Sequence, residues 1–172
     1  MGKKKLVTVL GGGLVVAALD LASKTLVLRH FSYLETLEIT GFFNLTLVGN
    51  QGAAFSFLSG TGAYQGLKMT LLALVALLPI VYFFRQAREE DKLALGSLAL
   101  IVGGAVGNIH DRLRYGAVVD FLDFHFRDAH WPAFNVADVA ICVGVALLLV
   151  ASLKRSQSAG GRRSEPRRGV GK

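Results

Sequence analysis

The chain has 172 residues, of which 52% are apolar, and a net charge of +7; its mean hydropathy of +0.48 lies well above that of a soluble domain. The length excludes a second large core, and the lone Cys142 excludes an intrachain disulfide. The positive charge is not a nucleic-acid footprint. Thirteen of the nineteen Lys and Arg lie at Lys3 to Lys5, within residues 85–92, and in the tail from Lys154 onward. Those clusters flank long apolar runs, the mark of the cytoplasmic side of a membrane protein.

Four stretches are long enough to cross about 30 Å of hydrocarbon at about 1.5 Å per residue: 6–28, 67–84, 93–109 and 134–153. The first follows three lysines but is too long for a secretory h-region. It also carries Asp20 and Lys24 and lacks a small-residue cleavage site, so it is read as a retained helix. Asp20 and Lys24 are four apart and share a face, either as a self-neutralising pair or as a buttress for a site. The next segment, 29–66, has strand-like alternation at Leu37 and Ile39, and again at Phe43, Leu45 and Leu47. A small sheet on the membrane surface is expected there.

In the third span Gly103 and Gly107 form a small-xxx-small pair suited to close helix packing. Gly104, Asn108 and Arg112 fall on one stripe, with Asp111 beside it. An Asn and an Arg at that end of a span can donate to carboxylates or to an extended backbone. His110 points elsewhere, as a packing or interface residue. The segment 114–133 places Asp120 among apolar residues, and Phe121, Phe124, Phe126 and Trp131 suit the headgroup zone. Asn135 and Asp138 share a face at the head of the fourth span. Cys142 reads as small apolar packing.

Four spans with both termini and the 85–92 loop in the cytoplasm satisfy the positive-inside rule. Residues 1–155 then form one transmembrane domain, and 156–172 a basic, disordered cytoplasmic tail. The fold class is an all-α membrane protein with four transmembrane helices and a small extracytoplasmic sheet between helices 1 and 2. Asp120 and Asp138 lie at one depth near the outer surface. Two carboxylates in a poorly hydrated pocket share a proton, so one serves as base toward water while the other polarises a carbonyl. From the residues alone, a helix cap or a surface-loop acid is the default reading of Asp120.

Other chemistries lack their motifs. There is no Gly-x-Ser-x-Gly turn, no His-Glu-x-x-His run and no cysteine cluster, so a metal site is not expected. A small transporter would place polar groups at several depths. A scaffold held by Gly103 and Gly107 gives no reason for the Asn-Asp pairs.

Five runs carry a further signal: Asp20-Leu-Ala-Ser-Lys24, Asn50-Gln-Gly-Ala-Ala-Phe-Ser56, Gly104-Ala-Val-Gly-Asn-Ile-His-Asp-Arg112, Val118-Val-Asp-Phe121 and Phe134-Asn-Val-Ala-Asp138. In order and spacing they resemble the motifs of the bacterial lipoprotein signal peptidases, across roughly residues 15–150. The resemblance implies an aspartic endopeptidase in the bacterial inner membrane, with Asp120 and Asp138 as its catalytic pair. Asn50, Gly104, Asn108, Arg112, Asn135 and Ala137 would line the pocket or support the pair, and Asp20 and Lys24 match the first-helix motif. The implied partners are a prolipoprotein with a diacylglyceryl-cysteine, membrane lipid and globomycin-type inhibitors, with the enzyme a monomer. His110 and Gly49 depart from the family pattern, which usually has an aliphatic residue and a larger side chain at those positions.

Overall fold

In the computed structural model, residues 2–51 and 78–161 are described. Long apolar runs without proline give α1 (Lys3–His30), α3 (Lys92–Tyr115) and α4 (Val136–Gly161), with a shorter helical stretch at 78–86, α2. α1, α3 and α4 are each long and apolar enough to cross a membrane. Of the expected second span at 67–84, residues 67–77 lie outside the described residues, and the remainder falls in α2.

α3 is the central helix, with α1 and α4 packed on different sides. The contacts turn on residues without side chains. A Cβ on Gly103 would lie 2.5 Å from the Gly13 carbonyl oxygen in α1, and one on Gly104 would lie 2.5 Å from the Ala137 carbonyl oxygen in α4. Consecutive residues on a helix point about 100° apart, so this Gly-Gly pair lets both neighbours approach one level of α3. Nearer the N-terminus of α3, Leu98, Ile101, Val9 and Leu148 form an apolar cluster closed by Ile80 and Phe83 from α2.

The basic clusters at Lys3 to Lys5, at 85–92 and at Lys154 and Arg155 gather at one end of the bundle. Lys5 Nζ donates to the carbonyls of Phe84 and Ala87 at 3.0 and 2.7 Å. Arg155 pairs with Asp91 at 2.7 Å and donates to the Gln86 carbonyl. Asp91 also caps α3, accepting from the Ala94 N–H at 3.0 Å. The opposite end carries an antiparallel sheet of order β1-β2-β3-β4, built from β1 (Thr36–Thr40), β2 (Phe43–Asn50), β3 (Val118–Phe126) and β4 (Ala129–His130). Val27, Leu47, Val119 and Phe121 bury the seam between α1 and this sheet.

Three expectations need correction. The sheet is not confined to the connection between helices 1 and 2, because β3 and β4 come from between α3 and α4 and β3 pairs with β2. The 118–126 run, Val-Val-Asp-Phe-Leu-Asp-Phe-His-Phe, mixes apolar and polar residues on each face, so alternation did not mark it as a strand. α3 continues to Tyr115, six residues past the apolar limit at 109, because hydropathy marks hydrocarbon depth while a helix ends at its cap. That cap is Gly116, at φ 73° with its N–H on the Arg112 carbonyl. Likewise α4 runs to Gly161, so residues 156–161 are helical rather than disordered.

Candidate active site

The fold buries charge where α1, α3, α4 and β3 meet. Lys24 Nζ lies 2.8 Å from Asp20 Oδ2, 2.8 Å from Asp111 Oδ2 and 3.1 Å from Asn108 Oδ1, and all three charged side chains are at most 2% exposed. Asp20 Oδ1 accepts the Ala137 N–H at 2.8 Å, at the start of α4, and Asp111 Oδ2 accepts the Val119 N–H at 3.1 Å, in β3. Asp20 and Lys24 are thus more than a self-neutralising pair, because the carboxylates hold two other elements by their backbones. Removing one member of such a cluster leaves an uncompensated buried charge, at a cost of about 3–5 kcal/mol. A Cβ on Gly107 would run into the Asp20 carboxylate, so this site also depends on a bare position.

From this cluster the hydrogen bonds lead to Asp120 and Asp138. Asn108, whose Oδ1 accepts from Lys24, donates through Nδ2 to Asp138 Oδ1 at 2.8 Å. Asn135 Nδ2 donates to Asp120 Oδ1 at 2.6 Å and reaches Asn108 Oδ1 at 3.3 Å. Its Oδ1 accepts the Asp138 N–H at 2.9 Å, the N-cap bond of α4. Asn50 Nδ2 donates to Asp120 Oδ2 at 2.9 Å from β2. Asp120 is buried and Asp138 half-buried. Burial is the main reason the Asp120 carboxyl is pushed up to about 6, and the negative charge of Asp138 adds to it. Donation from Asn50 and Asn135, and the charge of Lys24, act the other way.

Gly104 and Ala137 face each other where α3 meets α4, and Ala137 is wholly buried. Arg112 is exposed, and its Nη1 donates to the Asn108 carbonyl at 3.3 Å within its own helix. His110, 38% exposed, sits edge-on to Tyr115 with its Nδ1 3.4 Å from Asp111 Oδ1. Gly49 is exposed beside Tyr33 and Ala117. Cys142 is exposed rather than packed, because α4 turns Ala137, Ile141 and Gly144 toward α3. The residue that sequence reasoning undervalued is Asp111, the second carboxylate on Lys24. Its signal was present: it lies three residues after Asn108, on nearly the same face.

An apolar helix bundle with a buried acidic, amide-lined site beneath a small sheet defines a polytopic membrane protein with the groups of an acid–base enzyme. Residues 13–154 match the family described as signal peptidase (SPase) II. The chain belongs to that family. The lipoprotein signal peptidase of Ralstonia nicotianae is 51% identical over 146 residues, covering 85% of this chain and 84% of the relative. That of Paraburkholderia phytofirmans is 50% identical over the same shares. A bacterial membrane enzyme solved by the in meso method at 1.9 Å superposes with a TM-score of 0.71 at 30% identity, covering 83% of this chain and 90% of the other.

Proposed function

We propose that the chain is an aspartic endopeptidase that removes signal peptides from diacylglyceryl-modified prolipoproteins, cutting on the amino side of the lipidated cysteine. The observation that carries this reading is the Asp120–Asn135–Asn108–Asp138 chain of hydrogen bonds, in which a linked pair of amides holds both carboxyl groups. The charge of Asp138 helps to raise the Asp120 carboxyl. A like charge nearby and a dry pocket favour one shared proton.

In this mechanism the pair shares one proton, and the aspartate that holds it, here Asp120, donates it to the scissile carbonyl oxygen. Asp138, half-buried and reachable, takes a proton from the attacking water. The tetrahedral intermediate collapses when the new amino terminus leaves with a proton from the pair. Asn50, Asn108 and Asn135 keep the carboxyl groups oriented, and Arg112 is placed to meet substrate backbone. The lipid anchor and signal helix of the substrate stay in the membrane beside the bundle, so positioning supplies much of the rate. No cofactor enters the scheme, and globomycin-type inhibitors occupy the same pocket.

The arrangement of charge supports an enzyme over a transport path. Asp20, Lys24, Asn108, Asp111, Asn135 and Asp138 crowd the sheet end of their helices, while a path needs polar groups at several depths. The basic end, with Lys5, Arg88 and Arg155, belongs in the cytoplasm of a bacterial cell, and the site at the outer face of the inner membrane.

The test is incubation of the purified full chain with a diacylglyceryl prolipoprotein, with and without globomycin. Asp120→Asn and Asp138→Asn should each insert and fold but process substrate about 1,000-fold more slowly or not at all. Normal processing by either variant overturns the assignment.

A further inference from the structure

A cavity lies between α1 and α3 at the sheet end, with a volume of about 370 Å³. Asp120, Asp138, Asn50 and Asn135 take no part in its wall; Lys24 and Asp111 form its inner side. Its mouth carries Arg29, Arg114 and His110, and Leu21, Leu28 and Tyr115 supply apolar surface.

The charge of this pocket is unbalanced. Lys24 is committed to Asp20 and Asp111 at 2.8 Å each. Among the described residues neither Arg29 nor Arg114 pairs with a carboxylate; Arg114 lies 5.5 Å over the Tyr115 ring. Residues 52–77 contain no Asp or Glu to supply one. The buried triad of two aspartates and one lysine carries one negative charge, so with the two guanidinium groups the pocket is left with one positive charge. Both arginines are in the last turn of their helices, at the end away from the basic clusters.

The surface below the mouth is apolar, and among the described residues nothing packs on it. On α1 the stripe through Leu28 and Leu21 continues to Leu14, 72% exposed; on α3 the stripe through Arg114 and His110 continues to Val106, 49% exposed. Cationic groups at helix ends above an apolar groove match a phosphodiester above acyl chains. A guanidinium presents paired N–H groups to phosphate oxygens, and two of them clamp one phosphate.

We propose that the α1–α3 pocket binds one anionic glycerophospholipid of the membrane, its phosphodiester between Arg29 and Arg114 and its acyl chains along Leu21, Leu14 and Val106. This lipid is separate from the one carried by the substrate, and it braces α1 against α3 beside the Lys24 cluster.

The experiment uses the full chain, delipidated in neutral detergent. It is titrated with phosphatidylglycerol, phosphatidylcholine or glycerol phosphate, and bound adducts are read by native mass spectrometry alongside the melting temperature. One phosphatidylglycerol per chain should bind and raise Tm, with phosphatidylcholine about tenfold weaker and glycerol phosphate without effect. The double variant Arg29→Gln with Arg114→Gln should lose about tenfold in affinity, and so should Thr25→Trp, which fills the pocket and keeps both arginines. Arg127→Gln, at the exposed β3–β4 turn, should bind as the parent does. Equal binding of both lipids overturns the proposal, as does unchanged binding by both pocket variants. An equal loss in Arg127→Gln would reduce the effect to bulk charge, and tight binding of glycerol phosphate would make the site one for free phosphate. Each result is read from binding, so it stands apart from peptide cleavage.

Discussion

Asn135 Nδ2 donates to Asp120 Oδ1 at 2.6 Å, across fifteen residues of chain and from the cap of α4 to the first half of β3. The same side chain accepts the Asp138 N–H through its Oδ1. One amide thus starts the helix that carries one aspartate and holds the carboxylate of the other. The position of the acidic pair is set by helix capping, which is a local event, and by strand docking, which is not. Asn108 adds the link to the Lys24 cluster, so the acidic pair is tied to the charges that join α1 to α3.

Asp120 gives a pH-dependent prediction whose sign follows from burial. Its folded pKa of about 6 lies above its ordinary value of 3.8, so between those values the folded state binds more protons than the unfolded state. Stability from this group therefore falls as pH rises from about 4 to about 6, by at most ~3 kcal/mol. Asp120→Asn removes the term. The variant should melt higher than the parent at pH 8, and the difference should shrink toward zero at pH 4. A parent that melts higher than Asp120→Asn at pH 8 would contradict the burial argument.

Lys24→Met should be among the most damaging substitutions outside the acidic pair. It leaves Asp20 and Asp111 facing each other without a cation, a loss of about 3–5 kcal/mol. Replacing all three together, as Asp20→Asn, Lys24→Met and Asp111→Asn, should recover much of that loss, because no unpaired charge remains. Thermal melts of the two proteins in the same detergent make the comparison.

Asn108 and Asn135 should separate in their effects. Asn135→Ala removes an N-cap as well as a bond to Asp120, so it should cost about 1 kcal/mol for the cap alone and reduce peptidase activity as well. Asn108→Ala strips a donor from Asp138 and an acceptor from Lys24, with an expected activity loss of about 10–100-fold by analogy with supporting residues at other catalytic sites. Steady-state rates and Tm measured on each variant test the split.

The orientation is open to labelling. In a Cys142→Ala background, a cysteine at Tyr33 should react with an impermeant thiol reagent added to whole cells, while one at Arg88 should react only after the membrane is opened. The reverse pattern would turn the whole site to the cytoplasmic side.

Much of this protein was legible from its residues one at a time. Apolar length and basic clusters marked the spans, because water and hydrocarbon sort side chains whatever the tertiary arrangement. Alternation around Leu37 and Phe43 marked β1 and β2. Asn135 and Asp138 were visible as partners because they are one helical turn apart. The motif order carried the family, since spacing along the chain survives without knowledge of contacts.

What only the tertiary structure decided is which polar groups meet. Asp20 receives the Ala137 N–H from 117 positions away, and Asn50 reaches Asp120 from 70; no local pattern encodes such pairs. Gly103 and Gly107 looked like a packing face, but only their neighbours show that one of them makes room for the Asp20 carboxylate. β3 escaped notice because its first half is covered on both faces, which erases the period of two, and the pairing of Asp111 with Lys24 did so because that partner lies on another helix. Sequence records each residue's preference for water or oil. Long-range hydrogen bonds depend on how the chain closes, and that is settled by the packing of whole helices.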